Sequence, residues 1–249
     1  MFFLSQMDNK LLIENHLYFL SSFRGEREST PEAEYIHSDS SFFNIAIPSS
    51  LDKISLIPSQ FLIYAYDFLQ GKIPDDLKKF IGLSYMKLSN YENNRKENSE
   101  LKIKLASSEK DIEDFSLAQA KGFATSDNDF KEWYPWLLER NMKNLNNENS
   151  RFYTGYINNE PSATGLSIMR NNIAGIYAVA TIKAHRKKHL STSIMKKLVN
   201  DAAELKVDTV TLQVDSDSHA HDFYKKLGFE DAFHCTVYKK PIDAIEENK

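Results

Sequence analysis

Gly175-Ile176-Tyr177-Ala178-Val179-Ala180-Thr181 leads into Ile182-Lys183-Ala184-His185-Arg186-Lys187-Lys188-His189-Leu190-Ser191-Thr192, and these residues decide the fold. An apolar, branched run fits a strand, the basic run that follows fits a loop, and Ser191 to Lys206 fits a helix. Its Ile194, Leu198, Ala202 and Leu205 repeat at i, i+4, i+8 and i+11. A strand that passes through a short loop into a helix turns several backbone N–H groups toward one spot. The helix dipole and nearby cations then favour an anion there. A second strand over Thr209 to Val214 and a short helix ending Phe223-Tyr224-Lys225-Lys226-Leu227-Gly228-Phe229 complete the stretch.

Working outward, the second half starts with a strand over Leu101 to Leu105. Ser108 and Asp111 have capping-box spacing and open a helix to about Gly122. A second helix covers Phe130 to Met142, with Pro135 expected to kink it or mark its start. Arg151 to Ile157 and Ala163 to Met169 form a hairpin across Asn158-Asn159-Glu160-Pro161. Ile173 to Thr181 is the next strand, and Phe233 to Tyr238 closes the sheet.

In the first half Leu11 to Phe23 is expected to be an amphipathic helix, with strands at Glu34 to His37, Phe42 to Ile47, Gln60 to Tyr66 and Ser84 to Leu88. Pro74-Asp75-Asp76 is expected to open a short helix. Asp76-Leu77-Lys78-Lys79-Phe80-Ile81-Gly82 aligns without gaps on Asp222-Phe223-Tyr224-Lys225-Lys226-Leu227-Gly228. This is either a degenerate internal repeat or two unrelated short helices sharing Asp, Lys and Gly by chance.

The strand, basic loop, helix, strand and tyrosine helix resemble the two signature motifs of the GNAT superfamily of acyl-CoA-dependent N-acyltransferases. The counterparts of that pattern are Arg186, then His189 in place of its first glycine and Ser191 in place of its second, Asp217 (in place of Asn), Ala220, Tyr224, Gly228 and Phe229. The resemblance covers roughly Leu101 to Lys239. It implies an α/β fold with a mixed sheet: a GNAT domain over 101–240, a smaller degenerate GNAT-like half over 1–92, a linker over 93–100 and a polar tail over 241–249.

The same resemblance implies acetyl-CoA as co-substrate, without metal, and transfer to a primary amine by direct attack in a ternary complex. Cofactor-binding residues would be Val179, Ala180 and Thr181 along the pantetheine arm, and Arg186, Lys187, Lys188, His189, Leu190, Ser191 and Thr192 around the diphosphate. Asp217 and Tyr224 would also touch the coenzyme, with Tyr224 the catalytic acid for the leaving thiolate. A phenol with a pKa of ~10 is a proton donor at neutral pH. The bland readings are that the basic run is solvated, Ser191 is only an N-cap, and Tyr224 is a core aromatic.

The general base is open among Tyr177, Asp215, His185, Glu132 and a water relay. His219 and His221 form a His-x-His pair without a third ligand, which fits surface histidines better than a metal site. Trp133-Tyr134-Pro135-Trp136 lies where family members line the acceptor site; helix packing explains it equally well.

The chain has 249 residues, 41% hydrophobic and 27% charged, as an ordinary globular protein has. A net charge of −4 argues against general nucleic-acid binding, and no apolar run approaches the roughly 20 residues of a membrane span. The only cysteine, Cys235, excludes an internal disulfide, and the first residues lack the basic and apolar regions of a signal peptide, so a cytoplasmic protein is expected. Expected partners are a small-molecule or peptide amine, with no nucleic acid or membrane, and a monomer or homodimer. Two rivals remain: a coenzyme-binding pseudoenzyme or interaction module, and a tandem aminoacyl- or long-acyl-transferase.

Overall fold

The computed structural model describes residues 2–40 (side chains from residue 9), 43–91 and 95–241. The expected strand start at Phe42, part of the 93–100 linker and the tail beyond 241 lie outside these residues. The chain divides into two compact units. Met1–Asn9, His16–Lys87 and Gln213–Lys249 make the first; Lys10–Asn15 and Leu88–Leu212 make the second.

The second unit carries the stretch quoted above. Strand β6 (Lys102–Leu105) is followed by helices α2 (Glu109–Phe123) and α3 (Asp127–Lys143), and then by β7 (Ser150–Ile157), β8 (Glu160–Arg170) and β9 (Ile173–Thr181). Helix α4 (Leu190–Glu204) leads to β10 (Thr209–Asp215), whose first four residues close this unit. The strands lie in the order β10-β9-β8-β7-β6, with β10 parallel to β9 and the other pairs antiparallel.

Two tight turns set the registers. Asn158 and Asn159 have φ 51° and 64°, and Asn171 and Asn172 have φ 52° and 61°. Positive φ at both central residues is the type I′ form of a two-residue hairpin turn, and Asn tolerates it. The β7–β8 turn is thus tighter than the four-residue connection expected from sequence.

Helix α2 starts at Ser108, whose hydroxyl accepts from the Asp111 amide. Helix α3 starts at a capping box of Ser126 and Asp129 and runs through Pro135, which therefore does not mark its start. Phe115 of α2 meets Phe152 of β7 edge to face, with ring centroids 5.1 Å apart. Helix α4 buries Leu190, Ile194, Met195, Leu198, Val199 and Ala202. Gly165 of β8 lets α4 approach, since a Cβ there would lie 2.6 Å from Ile194 Cγ2.

Helix α1 (Phe2–Phe23) contributes Lys10–Asn15 to this unit. Asn15 is buried, and its Nδ2 donates to the carbonyls of Ile168 (3.1 Å) and Ile173 (3.3 Å), while its Oδ1 accepts from the Tyr177 hydroxyl at 2.8 Å.

In the first unit the strand order is β1 (Glu26–Ser29), β2 (Ala33–His37), β3 (Ile45–Pro48), β4 (Leu62–Tyr66), β11 (Phe229–Lys239) and β5 (Lys78–Leu88). Pairing is mixed: β2/β3 and β4/β11 are antiparallel, β3/β4 parallel. Helix α5 (His219–Lys226) precedes β11, and Gly228 between them takes φ 94°, a conformation costly for other residues. His16, Tyr66 and Tyr85 form a buried chain, with His16 Nδ1 2.6 Å from the Tyr85 hydroxyl and that hydroxyl 3.1 Å from Tyr66's.

The expected helix at Pro74-Asp75-Asp76 is corrected: Leu77 closes a single turn on Pro74, and Lys78–Leu88 is a strand. The segment aligned with α5 is therefore extended, and the sequence repeat corresponds to no shared element. Among the described residues no helix is long and apolar enough to cross a membrane. The expected α/β architecture with mixed sheets is the one observed, and the order from β6 to β11 is as read from the sequence.

Candidate functional site

The site is built from β9 and the loop that follows it. The β8–β9 register passes from Leu166↔Tyr177 to Thr164↔Ala180, so Gly165 alone stands opposite Ala178 and Val179. This is a β-bulge, and Ala178 carries it with φ 52°. The Thr164 hydroxyl donates to the Ala178 carbonyl at 2.7 Å and holds the distortion. On the other side the parallel ladder to β10 ends at Ile176↔Leu212, while β9 continues to Thr181. Val179, Ala180 and Thr181 thus sit just past a kink, beyond the end of that ladder.

Lys183–His185 form one 3₁₀ turn, and the chain reaches α4 through Arg186 to His189. Arg186 donates from Nη2 to the Gly122 carbonyl (2.8 Å) and from Nε to the Thr181 carbonyl (3.3 Å), tying the loop to the end of α2 and to β9. Its cation neutralises carbonyl dipoles rather than lying free over the helix start. Lys187 and Lys188 are exposed. Lys187 and His189 stand at φ 63° and 62°, so the glycine-like backbone is made by residues that bear a Cβ.

His189, not Ser191, is the N-cap residue of α4, and no side chain caps the helix. The amides of Leu190, Ser191 and Thr192 open the helix with no acid in its first turn. The Ser191 hydroxyl lies 2.8 Å from the Thr181 hydroxyl, linking the helix start to the end of β9. Such a cradle suits a diphosphate: uncapped amides, two exposed lysines and a small hydroxyl at the helix start.

Sequence reading missed Asn98. Its Nδ2 donates to the Lys188 carbonyl at 2.9 Å, and its backbone N–H donates to the Ser193 hydroxyl oxygen at 2.9 Å. The Ser193 hydroxyl donates in turn to the His189 carbonyl at 3.2 Å. Glu97 beside it is ion-paired with Lys196 of α4. No local signal marks these residues, because their partners lie about ninety positions away.

In the first unit Tyr224 lies buried on α5, tilted against Phe223 and edge-on to Phe229. Burial raises the pKa of its phenol above the ordinary 10 and keeps it protonated. Ser218 caps α5, its hydroxyl accepting from the His221 amide; Asp217 is exposed and is not the cap. His221 Nε2 pairs with Asp231 Oδ1 at 2.7 Å.

Of the candidate bases, Tyr177 has its hydroxyl committed to Asn15, and Asp215 accepts from the Asp217 amide. His185 has a buried Nδ1 without a hydrogen-bond partner. Glu132 is exposed on α3. In the neighbouring aromatic run the Arg140 guanidinium lies 4.2 Å from the Trp136 ring, and Tyr134 stacks on Phe130, which accounts for both as helix packing.

A solved GCN5-related N-acetyltransferase from Kribbella flavida is similar in fold, with TM-score 0.65 over 92% of this chain and 94% of its own, at 11% identity. A functionally unknown conserved protein from Staphylococcus epidermidis ATCC 12228 gives 0.63 over 88% and 96%, at 15% identity. A tandem GNAT protein of the clavulanic acid biosynthesis pathway gives 0.53 over 74% of this chain and 65% of its own, at 11% identity. No curated protein matches in sequence. The family model for the acetyltransferase (GNAT) family matches residues 112–229, which run from α2 through the bulged strand, basic loop and α4 to the tyrosine helix. Residues 112–229, just under half of the chain, thus match the acetyltransferase (GNAT) family.

Proposed function

We propose that the chain transfers the acetyl group of acetyl-CoA to the primary amine of a small molecule or peptide by direct attack in a ternary complex. The observation that carries this reading is the uncapped start of α4, entered through left-handed His189 directly after a bulged strand, within the family-matched segment. The bound thioester supplies an activated acetyl carbon and a thiolate leaving group.

The chain's own residues supply the rest. The amides of Leu190, Ser191 and Thr192, with Lys187 and Lys188, hold the diphosphate. The backbone of Val179, Ala180 and Thr181, past the end of the ladder to β10, receives the pantetheine arm like an added strand. The Val179 N–H polarises the thioester carbonyl. Tyr224 gives its proton to the departing sulfur, and the amine loses a proton to water or to His185. The proposal needs no metal, and Asp217 stays at the edge of the coenzyme site because its charge opposes phosphate.

The reading extends to the whole chain. Residues 1–92 as a smaller GNAT-like half are supported by the likeness in fold to a tandem GNAT protein. A cytoplasmic location rests on the single cysteine, Cys235, which is buried.

A thiol-release assay with acetyl-CoA across a panel of amines, paired with isothermal titration of coenzyme A, tests the proposal. Binding with turnover is expected; absence of binding overturns it. A second reading, a coenzyme-binding module without turnover, is favoured by the two loop glycines replaced with His189 and Ser191. Binding without turnover on any amine would select it.

A further inference from the structure

We propose that Asn98 is a positioning residue for coenzyme A, holding the His189 backbone in the left-handed conformation that aims the loop and helix amides at the diphosphate. The inference rests on the coenzyme reading above and adds to it a residue outside the loop and outside the family-matched segment.

His189 is the hinge between loop and helix, at φ 62° and ψ 19°. For a residue with a Cβ this conformation costs roughly 1–2 kcal/mol, so surrounding structure must fix it. Both peptide groups flanking His189 are pinned. Before it, the Lys188 carbonyl accepts from Asn98 Nδ2 at 2.9 Å. After it, the His189 carbonyl accepts from the Ser193 hydroxyl at 3.2 Å and from the Ser193 amide at 3.1 Å. Asn98 reaches this second anchor too, because its own N–H donates to the Ser193 hydroxyl oxygen at 2.9 Å.

The direction of the first bond matters most. In a trans peptide C=O and N–H point opposite ways. A Lys188 carbonyl drawn toward Asn98 therefore turns the His189 N–H away from Asn98. Asn98 is itself held, since its Oδ1 accepts from the Glu100 amide at 2.9 Å, and the neighbouring Glu97–Lys196 pair ties the same segment to α4. The segment before β6 thus does from outside what glycine does by having no side chain. It makes a left-handed turn affordable.

The test is isothermal titration of coenzyme A on four proteins: wild type, Asn98→Ala, His189→Gly, and the double variant. Asn98→Ala is expected to weaken binding about tenfold, one solvent-exposed hydrogen bond plus the freed loop. In the His189→Gly background the same change is expected to cost about twofold or less, because glycine reaches the left-handed region without a brace. The slope of log Kd against log salt should be unchanged by Asn98→Ala, which removes no charge, whereas Lys188→Ala should lower it.

An Asn98→Ala protein binding within twofold of wild type overturns the inference. So does an equal loss in both backgrounds, which would mean that Asn98 acts otherwise than through His189. If Asn98→Ala fails to fold, Ser193→Ala removes the second anchor and must show the same background dependence. If wild type itself does not bind coenzyme A, the coenzyme reading fails first, and the two failures are told apart.

Discussion

Replacing Gly175 with alanine should strike the second unit harder than any single methyl normally does. A Cβ at this position would lie 2.0 Å from Asn15 Oδ1, 2.6 Å from Tyr177 Cε2 and 2.8 Å from the Tyr177 hydroxyl oxygen. Neither neighbour can yield cheaply. Asn15 is only 2% exposed and is fixed by two carbonyls, and Tyr177 is fixed by Asn15. Admitting the methyl breaks up to three buried hydrogen bonds at about 1 kcal/mol each, and overpacking adds about 1 kcal/mol or more. The lower backbone entropy of alanine returns about 0.5 kcal/mol. The net loss is about 3–4 kcal/mol, or about 10 °C in Tm for a chain of this size. Thermal denaturation followed by circular dichroism measures it. Asn15→Ala is expected to cost about 2–3 kcal/mol alone, and the double variant less than the sum by more than about 1 kcal/mol, since the collision is with the group removed. A Gly175→Ala midpoint within about 2 °C of wild type, or strict additivity, would refute the packing argument.

His189→Gly should bind coenzyme A as tightly as wild type or up to about fivefold more tightly, because it relieves a left-handed residue worth roughly 1 kcal/mol; a large loss by titration contradicts this. Tyr224→Phe should lower kcat about 100-fold while leaving the Kd for coenzyme A unchanged, and unaltered turnover removes its role as acid. Burial, with the Arg24 cation, lowers the His16 pKa from 6.5 to about 3, so the folded chain binds fewer protons there than the unfolded chain. That stability is complete above pH 6.5 and falls by about 1.4 kcal/mol per pH unit as pH drops toward 3; urea midpoints should decline over this window and flatten in His16→Gln. Burial would raise the Asp111 pKa, but bonds from Lys104, Ser107 and Ser108 outweigh it and bring it from 3.8 to about 2. Its contribution, present above pH 3.8, is lost as pH falls through about 2, and Lys104→Met should move the acid transition measured by fluorescence to higher pH.

Much of the second unit was legible because its elements are long and periodic. Helix α4 announces itself by spacing, and α2 by Ser108, since both signals act within a turn or two. The first unit was harder. Strand β1 is Glu-Arg-Glu-Ser, exposed and without apolar alternation, and it exists through cross-strand pairs such as Arg27 with Glu34 and Glu28 with His37. Pro74-Asp75-Asp76 has the residues of a helix start, yet the chain beyond buries Ser84, Tyr85 and Met86 in a sheet, and tertiary packing prevails over a local cue.

At the site, the basic loop and the tyrosine helix were readable from spacing. The bulge was not, since an alanine gives no local sign of standing at φ 52°. Nor was the use of Arg186 as a clamp on carbonyls, or the brace from Asn98, because both depend on partners far away in sequence.

The Asn171-Asn172 turn starts a count. From it, Arg170 faces Ile173, Met169 faces Ala174, and pairing proceeds step by step until two residues share one place at Ala178 and Val179. The strand between turn and loop therefore works as a ruler, metering out which amide emerges at the kink. Apart from Gly175 and Tyr177, which pack against Asn15, a side chain along it can change while the tally holds, whereas inserting or deleting a single residue would present a different peptide to whatever docks there. Variation in this stretch should accordingly come as substitution and almost never as a change of length.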